Sequence, residues 1–468
     1  MEMNRKYEKE MVHRRRESSW DGFGRETIPY VIHYFLNNLQ APNEEAKSMM
    51  NYKLSDNRGI RRFGVNIGCF MLVAVLIMTS AMFDVSTIKA SGAGNYPPPS
   101  EGDWIITRNT QVSNETITLH GNLIIQNGGS LTLNNVTLFI DQTGTQTLRI
   151  EIMPGGSMRV LDNDNDSATT ADASVITTST YYGYLFIADQ GSQLELKNSQ
   201  VSGCGQYSTA GLYTWGIYIA TDNTVIENNA IGQTYSGIVI DGGANNYVVN
   251  NTIDCGSYGI YLFNAGNNTV SANNVSTYGG NGVGICLYES DENVIENNIS
   301  NSNDRGVELL SSNYNNVDNN TTNSNTIAGI KLADASYNFV GENTAKFNMY
   351  YAGGGIILEN ASFGNTISGN NLESNSHGIR VATDYIISSL DYNNVLINNE
   401  LHANTIGIYI FGSNRNLVTE NAAWENTIGI FSGSSSHVET NNTIEKKRSF
   451  SNGLFRLYSS PQGFLTEF

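Results

Sequence analysis

The sequence predicts an all-β fold: a right-handed parallel β-helix of about 22-residue coils, preceded by one transmembrane helix. Three observations carry this. The 468 residues include 46 Gly and only 7 Pro, with abundant Asn, Thr, Ser and Tyr, a composition of turns and strands rather than of helical bundles. A Gly followed by an aliphatic residue recurs ten times from Gly216 to Gly429, and an Asn-ending turn recurs in phase with it. Within each copy the aliphatics alternate, as in "GIYIA" and "GIVID", so Ile217 and Ile219 face one way and Tyr218 the other.

Residues 1–62 are polar and charged, with 12 Lys/Arg against 9 Asp/Glu, and read as a cytoplasmic, weakly ordered segment or as sequence upstream of the true start. "FGVNIGCFMLVAVLIMTSAMF", residues 63–83, carries no charge and as a helix would span about 31 Å, near the thickness of a bilayer's hydrocarbon core. Lys53, Arg58, Arg61 and Arg62 precede it and only Lys89 follows closely, which places the N-terminus in the cytoplasm and the rest outside. A cleaved signal peptide, with translation from Met49 or Met50, is the second reading, and it makes the protein secreted; both export the bulk of the chain. Residues 84–100, rich in Gly, Pro and Ser, read as a stiff linker.

The coil is expected over 101–445. "WIITRNTQVSNETITLHGNLII" starts and caps it, "GGSLTLNNVTL", "GGSMRVLDN" and "GSQLELKNSQV" form longer laps, and regular laps follow from Trp215. Three short strands per lap leave no room for a crossover helix, so the chain coils on itself with laps about 4.8 Å apart. The turn marker ends at Asn229, Asn251, Asn274, Asn298, Asn320, Asn343, Asn371, Asn399, Asn421 and Asn442. Asn tolerates the left-handed conformation of a sharp bend, and its side chains can hydrogen-bond up a stack, so this column is read as structural. Residues 446–468 lose the pattern and read as an irregular tail, a cap or the product of a truncated or frame-shifted end.

The unit "GIYIATDNTVIENNAI" resembles the parallel β-helix repeats of the NosD-like group, strongly over 215–444 and loosely over another hundred residues. That resemblance implies the fold and a repeat class shared by carbohydrate-binding proteins, sugar hydrolases and a periplasmic copper-binding protein. The order of membrane segment, "GDW" and "GNLIIQNGGSLTL" also resembles archaeal surface proteins. The copper role does not carry over: outside the N-terminal segment the His are His120, His377, His402 and His437, widely separated, and the exported part has only three Met. No cofactor is implied.

Chemistry is sought where the laps differ. The outward column two residues after each Gly holds Tyr218, Val239, Tyr261, Cys286, Glu308, Lys331, Ile357, Arg380, Tyr409 and Phe431. Glu308, Lys331, Asp334 and Arg380 are the candidate catalytic residues of a lyase or glycosidase cleft, the alternative being a solvated Glu308–Lys331 pair across two rungs. Tyr218, Tyr261, Tyr409 and Phe431 are candidate ligand-binding residues, expected to be exposed and to offer flat faces to sugar rings. Asp162, Asp164 and Asp166 alternate in "LDNDNDSATTAD" and are weak calcium candidates. The remainder of the chain beyond residue 62 carries 14 Lys/Arg against 35 Asp/Glu, which argues against a nucleic-acid partner.

The favoured expectation is a membrane-tethered cell-surface protein that binds polysaccharide or serves a structural or adhesive role. Polysaccharide lysis or hydrolysis on the outward face is the alternative. Ile260 and Leu262 should face the core, so Ile260→Asp should be severe while Tyr261→Asp, on the outer face, should change stability little.

Overall fold

The computed structural model describes residues 94–445, apart from 143–146, 165–170, 180–182, 207–209, 279–281, 383–391, 434–437 and 441. The transmembrane stretch 63–83, the cytoplasmic segment, most of the linker and the tail 446–468 therefore lie outside the described residues. Among the described residues no helix is long and apolar enough to cross a membrane. The last residues of the linker are tied to the first lap: Thr107 N–H donates to Asn95 Oδ1 at 2.9 Å, and Asn95 N–H donates to Thr110 Oγ1 at 2.9 Å.

Those residues form a parallel β-helix. The first sheet stacks fourteen parallel strands, one per lap, from Trp104–Ile106 to Ile428–Ser432. Two further faces are built from two- to five-residue strands, after two opening laps in which single strands of 11 residues, Asn109–Leu119 and Ser130–Ile140, cover both faces. The first half of Ser130–Ile140 pairs with Ser157–Leu161 and the second half with Val175–Thr178, which splits one strand into two columns. The alternation seen in the sequence sets the core. Ile260 and Leu262 are fully buried and pair in register with Ile285 and Leu287 of the next lap.

The Gly column has a steric cause. At Gly259 a Cβ would lie 2.0 Å from Val275 Cγ1 and 2.5 Å from the carbonyl oxygen of Gly284, so the corner closes only where no side chain projects.

Asparagine does two separate jobs. At one position the chain bends through the left-handed region, as at Asn228 (φ 58), Asn250 (φ 55) and Asn319 (φ 52), but Ala272, Glu342 and Glu420 take the same conformation in other laps. The next position is Asn in every lap from Asn229 to Asn442. In this ladder Asn298 donates its backbone N–H and its side-chain Nδ2 to Oδ1 of Asn320, at 2.9 and 3.0 Å, while Asn320 Nδ2 reaches back to the carbonyl of Ile295 at 2.8 Å. The sequence markers Asn274 and Asn371 are corrected by one residue. Ala272 and Gly369 make the bend, Asn273 and Asn370 enter the ladder, and Asn274 and Asn371 start the next strands.

Two more ladders run parallel to this one, from Asn246 to Asn416 and from Asn303 to Asn426. In a lap such as Asn315, Asn320, Asn325 the three ladders fall five residues apart, each buried to 2% exposure or less. In the laps from Asn293 to Asn426, where all three ladders run, three corners are thereby locked to the neighbouring laps.

Removing a ladder side chain strands its neighbours. Asn320→Ala would leave the buried backbone N–H of Asn298 without an acceptor and its Nδ2 with only the Val270 carbonyl, and we expect a loss of about 2–4 kcal/mol in urea unfolding. Asn319→Ala, at the exposed bend beside it, should cost only about 1 kcal/mol, the penalty of a left-handed alanine. Equal losses would mean that the ladder contributes nothing beyond the bend.

Candidate functional site

The outward column of the first sheet is in register as the alternation requires. Tyr218 pairs with Val239 and Val239 with Tyr261; the column continues through Cys286, Glu308, Lys331, Ile357 and Arg380 to Tyr409 and Phe431. Its members are far less exposed than expected, because side chains two residues before and after each of them lie on the same face. Val239, Cys286 and Ile357 are buried, and Tyr261 is only 8% exposed.

Aromatic rings cover the N-terminal third. Trp215, Tyr258 and Tyr261 stack on one another, Tyr258 and Tyr261 with centroids 4.8 Å apart, and Phe263 stacks on Tyr288 at 5.6 Å. Burial raises the phenols of Tyr258 and Tyr261, so both stay neutral. The expectation that Tyr261 is exposed is therefore corrected: neighbouring rings roof it over. Tyr218 is half-buried, its hydroxyl donating to Asp241 Oδ2 at 2.9 Å. At the other end Tyr409 and Phe431, also half-buried, stack at 5.1 Å and 6°, with His377 edge-on to Tyr409. His377 Nδ1 donates to the Gly353 carbonyl, and burial lowers the imidazole, so it is neutral near pH 7.

Between the aromatic groups runs a chain of ion pairs. Arg305 meets Glu308 at 3.2 Å, Lys331 meets Glu308 at 3.6 Å and Glu359 at 3.2 Å, and Arg380 meets Glu359 at 2.7 Å. Asp304 adds a contact to Arg305 at 3.5 Å. Three bases and three carboxylates thus compensate one another along the face. The Glu308–Lys331 pair is present as the non-catalytic reading required, but it is not solvated, since Glu308 is 5% exposed. Asp334 does not join the group. It sits exposed at a corner with φ 52, 3.4 Å from Asn360 Nδ2.

Of the acidic candidates in the early loop, Asp166 lies outside the described residues, while Asp162 and Asp164 come together with Asp172, which the spacing did not single out. The roofing rings Trp215, Tyr258, Phe263 and Tyr288 were also missed. Their signal was present: in "SYGIYLF" the period of two puts Phe263 on the same side as Tyr261.

The fold and face define a parallel β-helix repeat protein. The family model described as the periplasmic copper-binding protein NosD matches residues 197–387 and 352–460, and the chain belongs to this family. Among solved structures, the periplasmic alginate epimerase AlgG is similar with a TM-score of 0.52 and 17% identity, over 70% of this chain and 78% of that one. The Dettilon tailspike protein gp208 gives a TM-score of 0.46 at 18% identity, over 64% of this chain and 61% of its own. The A-module of the Azotobacter vinelandii mannuronan C-5 epimerase AlgE4 gives 0.42 at 14%, over 65% and 89%. At these identities the likeness is one of fold alone. No curated protein is matched.

The donor chemistry does not fit the copper of the family description. Among the described residues the one grouping of three metal donors is made of carboxylates, hard ligands that do not select copper. The thiols of Cys204 and Cys255 are buried and pushed up to about 12, and that of Cys286 is also raised by burial.

Two outcomes follow for stability. Burial raises the Glu308 carboxyl above its ordinary 4.5 even with Arg305 and Lys331 beside it. A carboxyl raised by folding costs stability once ionised; the cost is absent below 4.5 and complete above the folded value. Lys331→Met removes one of the two cations, so it should destabilise by about 3 kcal/mol at pH 7, with the deficit shrinking as pH falls through the Glu308 range. Urea midpoints at pH 7 and pH 5 check this, and equal deficits would contradict it. Ile260→Asp and Tyr261→Asp should both destabilise by several kcal/mol in the same assay, because both positions bury the new carboxylate; a silent Tyr261→Asp would show that the aromatic roof is not packed.

Proposed function

We propose that the chain is an exported cell-surface solenoid that binds a neutral polysaccharide along the outward face of its first sheet. The observation that carries this reading is the arrangement of that face: aromatic groups at both ends and a self-compensating row of charges between them. From Tyr218 to Phe431 the column spans nine rungs, roughly 43 Å at about 4.8 Å per rung, a lane suited to a polymer. Half-buried rings such as Tyr218, Tyr409 and Phe431 have the rigidity and the partly open faces on which sugar rings stack. The alginate epimerase that shares the fold supports a polysaccharide as the class of ligand.

The pairing pattern supports a neutral chain over a charged one. Arg305, Lys331 and Arg380 are each matched to a carboxylate, and beyond residue 62 the chain is strongly acidic, so a polyuronate would meet no uncompensated base on this face. Export follows from the uncharged run 63–83, which serves as a membrane anchor with the solenoid outside, or as a cleaved signal. Lysis or hydrolysis is the competing activity, with Glu308, Lys331 and Arg380 as its machinery. Their engagement in one ion-pair chain favours binding.

Affinity electrophoresis with glycan in the matrix tests this. Retardation is expected in at least one neutral glycan and not in alginate. The triple variant Tyr218→Ala, Tyr409→Ala, Phe431→Ala should bind on the order of tenfold more weakly or worse, from about 0.5–1.5 kcal/mol per stacked ring. Unchanged migration of the triple variant would end the proposal, and new reducing or unsaturated ends in glycan incubated with the native chain would make the protein an enzyme.

A further inference from the structure

Away from that face, an excursion leaves the coil between strands Ser157–Leu161 and Val175–Thr178. Its neck is closed by an antiparallel bridge from Asp162 to Ala173, and by Ser174, whose hydroxyl donates to the Leu161 carbonyl at 2.6 Å and accepts from Val136 N–H at 3.1 Å. Three carboxylates converge at this neck, Asp162 and Asp164 from the outgoing arm and Asp172 from the returning one, each offering an oxygen within 4.8 Å of the others.

Asp162 makes this more than an acidic patch. It is 5% exposed, and neither of its carboxylate oxygens has a hydrogen-bond partner. A buried carboxylate with no donor, facing two more carboxylates, requires a cation or a proton.

We propose that Asp162, Asp164 and Asp172 bind a calcium ion that clips the two arms of this excursion together. The donors are all carboxylate oxygens, which select hard cations over copper or zinc. Oxygens within 4.8 Å of one another can all reach a single ion at about 2.4 Å, a distance calcium accepts. Calcium also accepts irregular, partly hydrated carboxylate sets, whereas magnesium keeps most of its water and demands an octahedron. The bridge and the Ser174 contacts already hold the arms in place, so the ion has little chain to order. The site is independent of the glycan reading, and its consequence is mechanical: it ties Asp162 and Asp164 to Asp172 on the opening laps of the solenoid.

Calcium chloride titrated calorimetrically into the EDTA-stripped full chain should reveal one site whose affinity falls at least tenfold in Asp162→Asn and in Asp172→Asn, with magnesium chloride binding at least tenfold more weakly. In EDTA the urea midpoint of Asp162→Asn should equal or exceed that of the native chain, because the substitution removes a buried unpaired charge while keeping the shape. Absence of a site in the native chain, or affinity unchanged in both variants, overturns the proposal. A lowered midpoint of Asp162→Asn in EDTA also overturns it, since the carboxylate would then serve the fold without metal.

Discussion

The hydrogen bond from one asparagine to the asparagine of the next lap is the constraint on which the rest of this molecule depends. A solenoid turns three corners per lap, and every corner buries backbone groups that the sheets cannot satisfy. In the lap of Asn315, Asn320 and Asn325 each corner is met by one side chain that accepts from the lap below; Asn315 and Asn320 donate Nδ2 to the lap above, while Asn325 donates its backbone N–H there and turns its Nδ2 to the Ser300 carbonyl. Because these bonds connect laps rather than residues within a lap, each repeat is completed only by its neighbour. Stability then grows with stacking, as in other repeat arrays.

The ladders also dictate where the chain has freedom. Corners five residues apart leave no slack on the second and third faces, where the strands of the regular laps are short, such as Asn316–Asp318 and Phe339–Gly341. The path from the third ladder to the next lap's first ladder has no such limit. It runs from Asn325 to Asn338 in one lap and from Asn375 to Asn394 in another, thirteen residues against nineteen. All of this variation flanks the first sheet. Length variation in a rigid scaffold collects where surface chemistry is adjusted, and it collects here beside the aromatic and charged face.

How much of this was legible follows from which signals have a period. The inward set that includes Ile260 and Leu262, the outward column from Tyr218 to Phe431 and the order of the laps all follow from alternation plus recurrence, and the register agrees at every rung of that column. The Asn turn was recognised, but its two jobs were merged into one. Only a lap in which Ala272 or Glu342 bends in place of Asn separates the bend from the ladder. The ladders through Asn315 and Asn325 share the lap period of Asn320 and differ from it only by an offset of five, so recurrence alone does not set them apart. Exposure was the larger miss. Position on the outer face of a strand does not mean contact with water when bulky neighbours share that face. Tyr261 lies under Trp215 and Tyr258, and Glu308 lies between Arg305 and Lys331. Asp172 joined Asp162 through a loop closure that no local pattern announces.

The burial of Glu308 supports the proposed reading of a face that holds a sugar over one that cuts it. A general acid or base must reach a substrate proton within hydrogen-bonding distance, yet Glu308 is 5% exposed and one of its oxygens already faces both Arg305 and Lys331. Freeing it would break two ion pairs on a partly dry surface and leave Lys331 with only Glu359 and Arg305 with only Asp304. The charges are better understood as a way of building a flat, rigid and electrically quiet stretch between two aromatic platforms. Three bases and three carboxylates held in register by the sheet fill the middle of the lane without attracting either sign of charge. On the proposed binding reading, a surface of that kind would discriminate by shape and stacking, with the spacing between the rings at its ends held fixed by the asparagine ladders.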